Sequence, residues 1–311
     1  MFVANAVVLG GAGFIGSHLV DALVAEGHRV TVFDRFREGV PHDARPGVVT
    51  LVGDFERRES LDAAVVGHDW VFHTLSTTSP ATAQADPTLD LRTNVLQSVE
   101  LFSACVDAKV EHVFFASTGG AIYGPQQQTE FSELDRTRPI SPYGIGKLAI
   151  ENYLRFFSAV HGLRSTSLRI SNPYGTRQHP NRKQGFIPIA LRSIIEGRPV
   201  LQVGDGSMVR DYILVDDLVS MIITLTRQTP QHDVYNLGSG QGASVTAVIE
   251  AMRRVTGVDF AVELGEKPSS FVDHSVLNVD RFVAEFGAVE LTPLDEGIHQ
   301  TYTEMLEHHR G

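Results

Sequence analysis

The stretch Ala6-Val7-Val8-Leu9-Gly10-Gly11-Ala12-Gly13-Phe14-Ile15-Gly16 (AVVLGGAGFIG) sets the fold class of this chain. An apolar run stops at glycines spaced three and three, and helical periodicity follows. The pattern predicts a strand over Ala6–Leu9, a tight turn and a helix over Phe14–Glu26. A second strand, Arg29–Phe33, ends at Asp34. Glycines 10, 13 and 16 clear side chains from the turn, so backbone amides and the helix N-terminus can approach an anion. A glycine turn alone is weak evidence, since some only solve a packing problem. Strand, turn, helix and second strand together point to a pyrophosphate site.

An acid at the end of the second strand accepts hydrogen bonds from ribose hydroxyls and repels a 2′-phosphate. Asp34 therefore favours NAD over NADP, although an arginine such as Arg35 could tolerate the extra phosphate. The residues expected around the cofactor phosphates are Gly10, Gly13, Phe14, Ile15 and Gly16. Asp54 and Phe55 follow a predicted strand, Val48–Val52, at a place where an adenine contact could occur. A solvated carboxylate at a strand end is an equal reading of Asp54.

Short apolar runs alternate with helix-period segments along the first half, the rhythm of a parallel sheet built from β-α-β units. Further strands are expected at Trp70–His73, His112–Ala116 and Ser165–Ile170, and helices at Asn94–Ala108 and Tyr143–His161. The resulting expectation is an α/β, doubly wound Rossmann sheet over residues 1–171, completed by part of 210–240. A smaller C-terminal α/β substrate lobe would occupy 172–311, with helices at Gly185–Glu196, Val215–Thr226 and Ser244–Val255. Asn172 to Gln184, rich in proline, glycine and basic residues, reads as a surface loop over a site.

Composition narrows the function class. The chain has 311 residues, 42% hydrophobic and 20% charged, enough for a sizeable core. A net charge of −11 argues against a broad surface for nucleic acid or an anionic membrane. The single Cys105 forms no internal disulfide, no Cys/His cluster has zinc spacing, and no metal is expected. No secretory leader or membrane-length apolar run is evident, so a cytoplasmic location is expected.

The reactive constellation is Ser141-Pro142-Tyr143-Gly144-Ile145-Gly146-Lys147. On a helix, Tyr143 and Lys147 share a face one turn apart. A phenol is a poor base at neutral pH, and a nearby ammonium is expected to bring its pKa down. Such a pair arises by chance in many helices. Here it follows both the glycine turn and a strand that ends in Ser117-Thr118-Gly119-Gly120.

Gly10–Gly16, Asp34, Ser117–Gly124, Tyr143/Lys147 and Asn172-Pro173-Tyr174-Gly175 together resemble the extended short-chain dehydrogenase/reductases. Within these the chain resembles the nucleotide-sugar epimerase/dehydratase group, and most of all its UDP-glucose (UDP-galactose) 4-epimerases. Asn94 and the segment Gly204–Tyr212 add to the match. The resemblance implies bound NAD, a UDP-sugar substrate, a homodimer and reversible 4-epimerisation of a UDP-hexose through transient oxidation at C4. It makes Tyr143 the acid/base and Lys147 its electrostatic partner, both also beside the cofactor, where Lys147 could reach the ribose hydroxyls. It assigns Asn94 to the cofactor, Thr118 and Gly119 to the sugar side, and Asn172 and Arg210 to the substrate diphosphate. Leu75 and Ser76 fall where relatives line the nicotinamide side.

Three departures qualify the match. The family's usual catalytic hydroxyl stands five residues before the closing Gly124, where this chain has Gly119. Thr118 is then the expected substitute and Ser117 the reserve, with backbone capping as the plain alternative for both. Gly120 and Ala121 stand where dehydratases and decarboxylases carry acid/base groups, which disfavours those reactions. Net oxidoreduction or dehydration of a nucleotide sugar and a non-catalytic NAD-binding protein stay as the alternative readings. Ser270 replaces an arginine expected before Asp273, and Lys267 nearby could take over one phosphate contact. His73 reads as a packed core histidine. Tyr123 and Tyr174 read equally as sugar or uracil platforms and as interior filling.

Overall fold

Asn5–Leu9 (β1) is apolar on both faces because it runs through the middle of a parallel sheet, where neither face meets water. Ala6, Val7, Val8 and Leu9 are all fully buried. The computed structural model describes residues 3–36, 47–178, 185–267 and 271–310. Its central sheet adds Arg29–Asp34 (β2), Val48–Val52 (β3), Trp70–His73 (β4), His112–Thr118 (β5), Ser165–Ile170 (β6) and Val234–Leu237 (β7). The strand order is β7-β6-β5-β4-β1-β2-β3, a Rossmann-like α/β sheet. β1 pairs parallel with β2 and β4, and Leu9 lies level with both Phe33 and His73. His73 in turn pairs with Phe115. This register brings Gly10, Asp34, Thr74–Ser76 and Ser117–Thr118 to one edge of the sheet, the carboxyl edge where such folds carry their chemistry.

One face of the sheet supplies Val7, Leu9, Val71, Val113 and Phe115 to a core closed by three helices, Arg58–Val65, Leu96–Asp107 and Pro142–His161. The last helix starts where the sequence says it should. Ser141 Oγ accepts the Gly144 amide at 3.2 Å, Pro142 occupies the first turn, and Gly162, at φ +71°, ends it in a left-handed turn.

Backbone contacts divide the chain into two units. The first is Met1–Thr118, Ser141–Arg169 and Ile222–Tyr235; the second is Gly119–Ile140, Ile170–Met221 and Asn236–Gly311. The second unit has its own core, in which helices Phe186–Ile195, Val245–Thr256 and Leu294–Arg310 bury Leu191, Val248, Met252 and Ile298 around Tyr174. Tyr123 is also interior, stacked on Phe131 and donating to Asn236 Oδ1 at 2.7 Å. Both tyrosines are therefore filling.

Several expectations change. Residues 119–140 leave the first 171 residues and join the second unit, because Glu130–Phe131 pairs with His274–Leu277. A two-residue strand leaves no periodic signal in sequence. Asn172–Tyr174 is a strand against Tyr212–Leu214 rather than loop. Residues 179–184 and Ser270 lie outside the described residues. Asn94 does not open a helix but sits in a π-helical turn, Leu91–Val95, that runs into Leu96–Asp107. The hydroxyls Ser117 and Thr118 lie inside β5 rather than beyond it.

Phe102 has no exposed surface and packs edge-on against His73 and Phe157. Phe102→Ala is expected to destabilise the protein by about 3–5 kcal/mol, read as a shift of the urea midpoint at unchanged slope.

Candidate active site

The glycine turn is held as tightly as its sequence demands. Gly10 has φ +81°, and a Cβ there would stand 2.9 Å from the backbone of Leu75. A Cβ on Gly16 would overlap Gly10 O. Gly10 thus lets the β4 loop approach, and Gly16 lets the helix Phe14–Ala25 close against the turn. Gly13 caps that helix without any side-chain hydrogen bond and no acid lies in the first turn, so the N-terminus is left to an anion. Asp34 reaches over the turn, accepting the Ala12 amide at 3.3 Å and the Arg35 amide at 2.7 Å.

Arg35 does not stand free for a 2′-phosphate. Its Nη2 pairs with Asp54 Oδ1 and Glu56 Oε1, each at 2.6 Å. Desolvation would raise the pKa of Asp54, but the Glu56 amide and Arg35 outweigh it and hold the carboxyl below its usual range. Asp54 is therefore committed to Arg35. Phe55 is fully buried among core side chains, which leaves only its backbone for a ligand. Ser76 Oγ donates to Thr78 O. The Asn94 amide group is used within the fold: Oδ1 accepts Thr77 N at 2.9 Å, and Nδ2 donates to Thr78 Oγ1 and Asp90 Oδ1, each at 2.8 Å.

Tyr143 and Lys147 share the expected face of the Pro142–His161 helix, with Nζ 5.8 Å from the phenol centroid. Lys147 is 6% exposed; its Nζ donates to Ala116 O at 2.8 Å and lies 4.7 Å above the Phe115 ring. Burial draws its pKa down to about 8, although Asp90 and Glu151 both oppose the fall. The expected lowering of the tyrosine pKa is not found. Burial, and after it the Asp90 carboxylate, pushes the half-buried Tyr143 phenol up. In the protein alone, loss of solvent outweighs the ammonium.

The two strand-end hydroxyls have different fates. Ser117 Oγ donates to Glu151 Oε1 at 2.5 Å, and Glu151 is in turn held by Arg169, whose Nη2 lies 2.8 Å from Oε2. This buried ion pair claims Ser117 for the fold. No hydrogen bond from a described residue holds the Thr118 hydroxyl, so the two neighbours separate into a structural and an available group. Glu151 was not anticipated, although its place one turn beyond Lys147 was a signal. His73 is a core residue as expected: it bonds Ser98 Oγ at 2.9 Å, and burial, with Lys147 nearby, lowers its pKa to about 3.

In the second unit, the guanidinium of Arg210 is held by backbone carbonyls, donating to Val209 O at 2.8 Å and Val272 O at 2.7 Å. No carboxylate within reach pairs with it among the described residues. A cation held by uncharged groups, here carbonyls and the Met208 sulfur, keeps its charge. Asn172 Nδ2 donates to Asp211 O at 3.0 Å, which leaves its Oδ1 without a hydrogen bond from a described residue. Lys267 is less available, since it pairs with Asp273. A Cβ on Gly119 would overlap Leu277 Cδ1, so a hydroxyl-bearing side chain at the family's usual position would require Leu277 to shift. Gly120 and Ala121 lie within a short helix, Gly119–Ile122, and bring no acid or base to it.

A family model, the NAD dependent epimerase/dehydratase family, matches residues 6–238. The chain belongs to this family. NAD is its cofactor, and the Gly10–Gly16 turn and Asp34 fit that group. A UDP-glucose 4-epimerase from Thermotoga maritima, solved with UDP-glucose, is 33% identical, covering 98% of this chain and 99% of its own at a TM-score of 0.91. The UDP-glucose 4-epimerase of Thermus thermophilus, solved with NAD, is 32% identical over 96% and 98%, TM-score 0.89. A dTDP-4-dehydro-6-deoxyglucose reductase from Escherichia coli is 30% identical over 94% of each chain. No helix among the described residues is long and apolar enough to cross a membrane.

Gly10→Ala combines a left-handed backbone with a clash against Leu75. It is expected to weaken NAD binding at least about tenfold, measured by calorimetry, and to lower the melting temperature by several degrees, because the strain falls on the folded backbone itself.

Proposed function

We propose that this protein interconverts the C4 epimers of a UDP-hexose, UDP-glucose/UDP-galactose or their N-acetyl forms. The observation that carries the reading is a Tyr143–Lys147 pair on an NAD fold with no acid/base side chain at Gly120 and Ala121. Oxidation and reduction at C4 need one base that gives its proton back, whereas elimination needs further groups. NAD, when bound, supplies the hydride acceptor and donor for C4. Tyr143 takes the C4 hydroxyl proton and later returns it, while Lys147 stabilises its phenolate. The Thr118 hydroxyl holds the C4 oxygen. Arg210 and Asn172 retain the diphosphate while the 4-keto sugar turns over, so anchoring and sugar rotation are assigned to different groups.

The cofactor contacts are assigned to Gly10, Gly13, Phe14, Ile15, Gly16 and Asp34, with backbone contributions from Phe55 and Leu75. The enzyme is read as cytoplasmic: Cys105 is buried and unpaired, and burial pushes its thiol up. It is also read as a homodimer, because Ile145, Tyr153, Phe156 and Val160 leave an apolar stripe exposed on the Pro142–His161 helix. Sedimentation at micromolar concentration should give twice the monomer mass.

Purified protein with NAD should convert UDP-glucose to UDP-galactose, or UDP-N-acetylglucosamine to its 4-epimer, without net NADH. Release of NADH or a 4-keto product would replace this reading with oxidoreduction or dehydration. Tyr143→Phe should reduce turnover by about 10²–10⁴-fold and spare NAD binding. Thr118→Ala should lose about 10²-fold with the fold intact. Ser117→Ala should instead act on stability, by about 1–3 kcal/mol, because it strips a partner from a buried carboxylate. Full activity in Thr118→Ala would reject its assignment.

A further inference from the structure

Asp90 is a carboxylate only 3% exposed, and no described cation lies within ion-pair distance of it. Its Oδ1 accepts Thr78 Oγ1 at 2.5 Å and Asn94 Nδ2 at 2.8 Å. No hydrogen bond from a described residue reaches Oδ2. That oxygen rests against the helix bearing the reactive pair: a Cβ on Gly146 would overlap it. Any residue other than glycine, one step before Lys147, would push the carboxylate away.

An isolated buried carboxylate is unfavourable unless a nearby charge offsets it. Glu151, on the same helix, is already neutralised by Arg169. His73, from β4, is uncharged at working pH. Asp90, set at Gly146 on the helix that carries both groups, remains as the one described acid that acts on both Tyr143 and Lys147 and whose charge no described arginine or lysine side chain has claimed by contact.

We propose that Asp90 is a positioning residue for the Tyr143–Lys147 pair, admitted by Gly146, and that its carboxylate sets how tightly both groups hold their protons. The proposal rests on the reading of Tyr143 as the acid/base. A negative charge favours the protonated form of each neighbour. It therefore helps keep Lys147 an ammonium near neutrality, since burial brings the pKa to about 8 even with this carboxylate in place. It also restrains Tyr143 from ionising before the cationic nicotinamide and the substrate arrive. Removing the charge moves both ionisations to lower pH.

The test is a pH titration of tyrosinate absorbance on the NAD-loaded protein, with Tyr143 isolated as the difference from the Tyr143→Phe variant. Asp90→Asn keeps an oxygen for Thr78 and Asn94, so the local fold is preserved. It is expected to lower the Tyr143 midpoint by about one pH unit. Gly146→Ala, which leaves Asp90 ionisable but displaces it, should shift the midpoint the same way. In turnover, kcat should begin its alkaline decline at lower pH in both variants, with KM unchanged. A midpoint unmoved in both variants, in protein that melts cooperatively and binds NAD, overturns the proposal. Should Asp90→Asn fail to fold, Gly146→Ala decides alone. The titration reads Tyr143 whether or not the protein turns over a UDP-sugar, so a failure of the functional reading is seen separately, in the product assay.

Discussion

The buried ammonium of Lys147 is the constraint around which the first unit is organised. A charge taken out of water is tolerated only where other groups replace its solvation. Here the substitutes come from several elements: the Ala116 carbonyl and the Phe115 ring from β5, Glu151 one turn along the helix, and Asp90 from the segment before the π-helical turn. The Leu91–Val95 turn then has a structural cause. It places Asn94 where its amide can tie Thr77, Thr78 and Asp90 together. Even the apolar packing around β4 and β5 participates, since it is what lowers the dielectric that makes these charges felt.

The second unit solves the opposite problem. There a cation is held without being neutralised. Backbone carbonyls have no net charge, so they fix the Arg210 guanidinium and leave its field intact. In a chain of net charge −11, a cation spared from pairing is a local point of positive potential. Asp211, the next residue, stabilises the surroundings: its carboxylate accepts Ser239 N at 2.8 Å, Ser239 Oγ at 2.7 Å and Gly240 N at 3.2 Å, while its carbonyl orients Asn172.

Legibility followed the range of the interaction. The glycine turn, the strands around it and the capped Pro142–His161 helix were readable because each is decided by neighbours within a few residues. The division of labour between Ser117 and Thr118 was not. Two adjacent hydroxyls point to opposite faces of a strand, and which face is claimed depends on Glu151 and Arg169, far away in sequence. Likewise the pKa of Tyr143 follows total burial, a sum over the whole surroundings that i,i+4 spacing does not contain. Sequence alone leaves Arg35 open to a 2′-phosphate, and only the fold brings Asp54 and Glu56 onto its guanidinium.

By itself the sequence determined the Rossmann class, the NAD turn, the Tyr143–Lys147 pairing and the absence of acid/base groups at Gly120 and Ala121, since these rest on residue type and local spacing. Only the tertiary structure decided the rest. It committed Ser117 to Glu151, left the Thr118 hydroxyl available, filled the space beside Gly119 with Leu277 and set Asp90 against Gly146. Each of these is a contact between segments distant in the chain, fixed by which side chains the fold brings together and which volume is left for them.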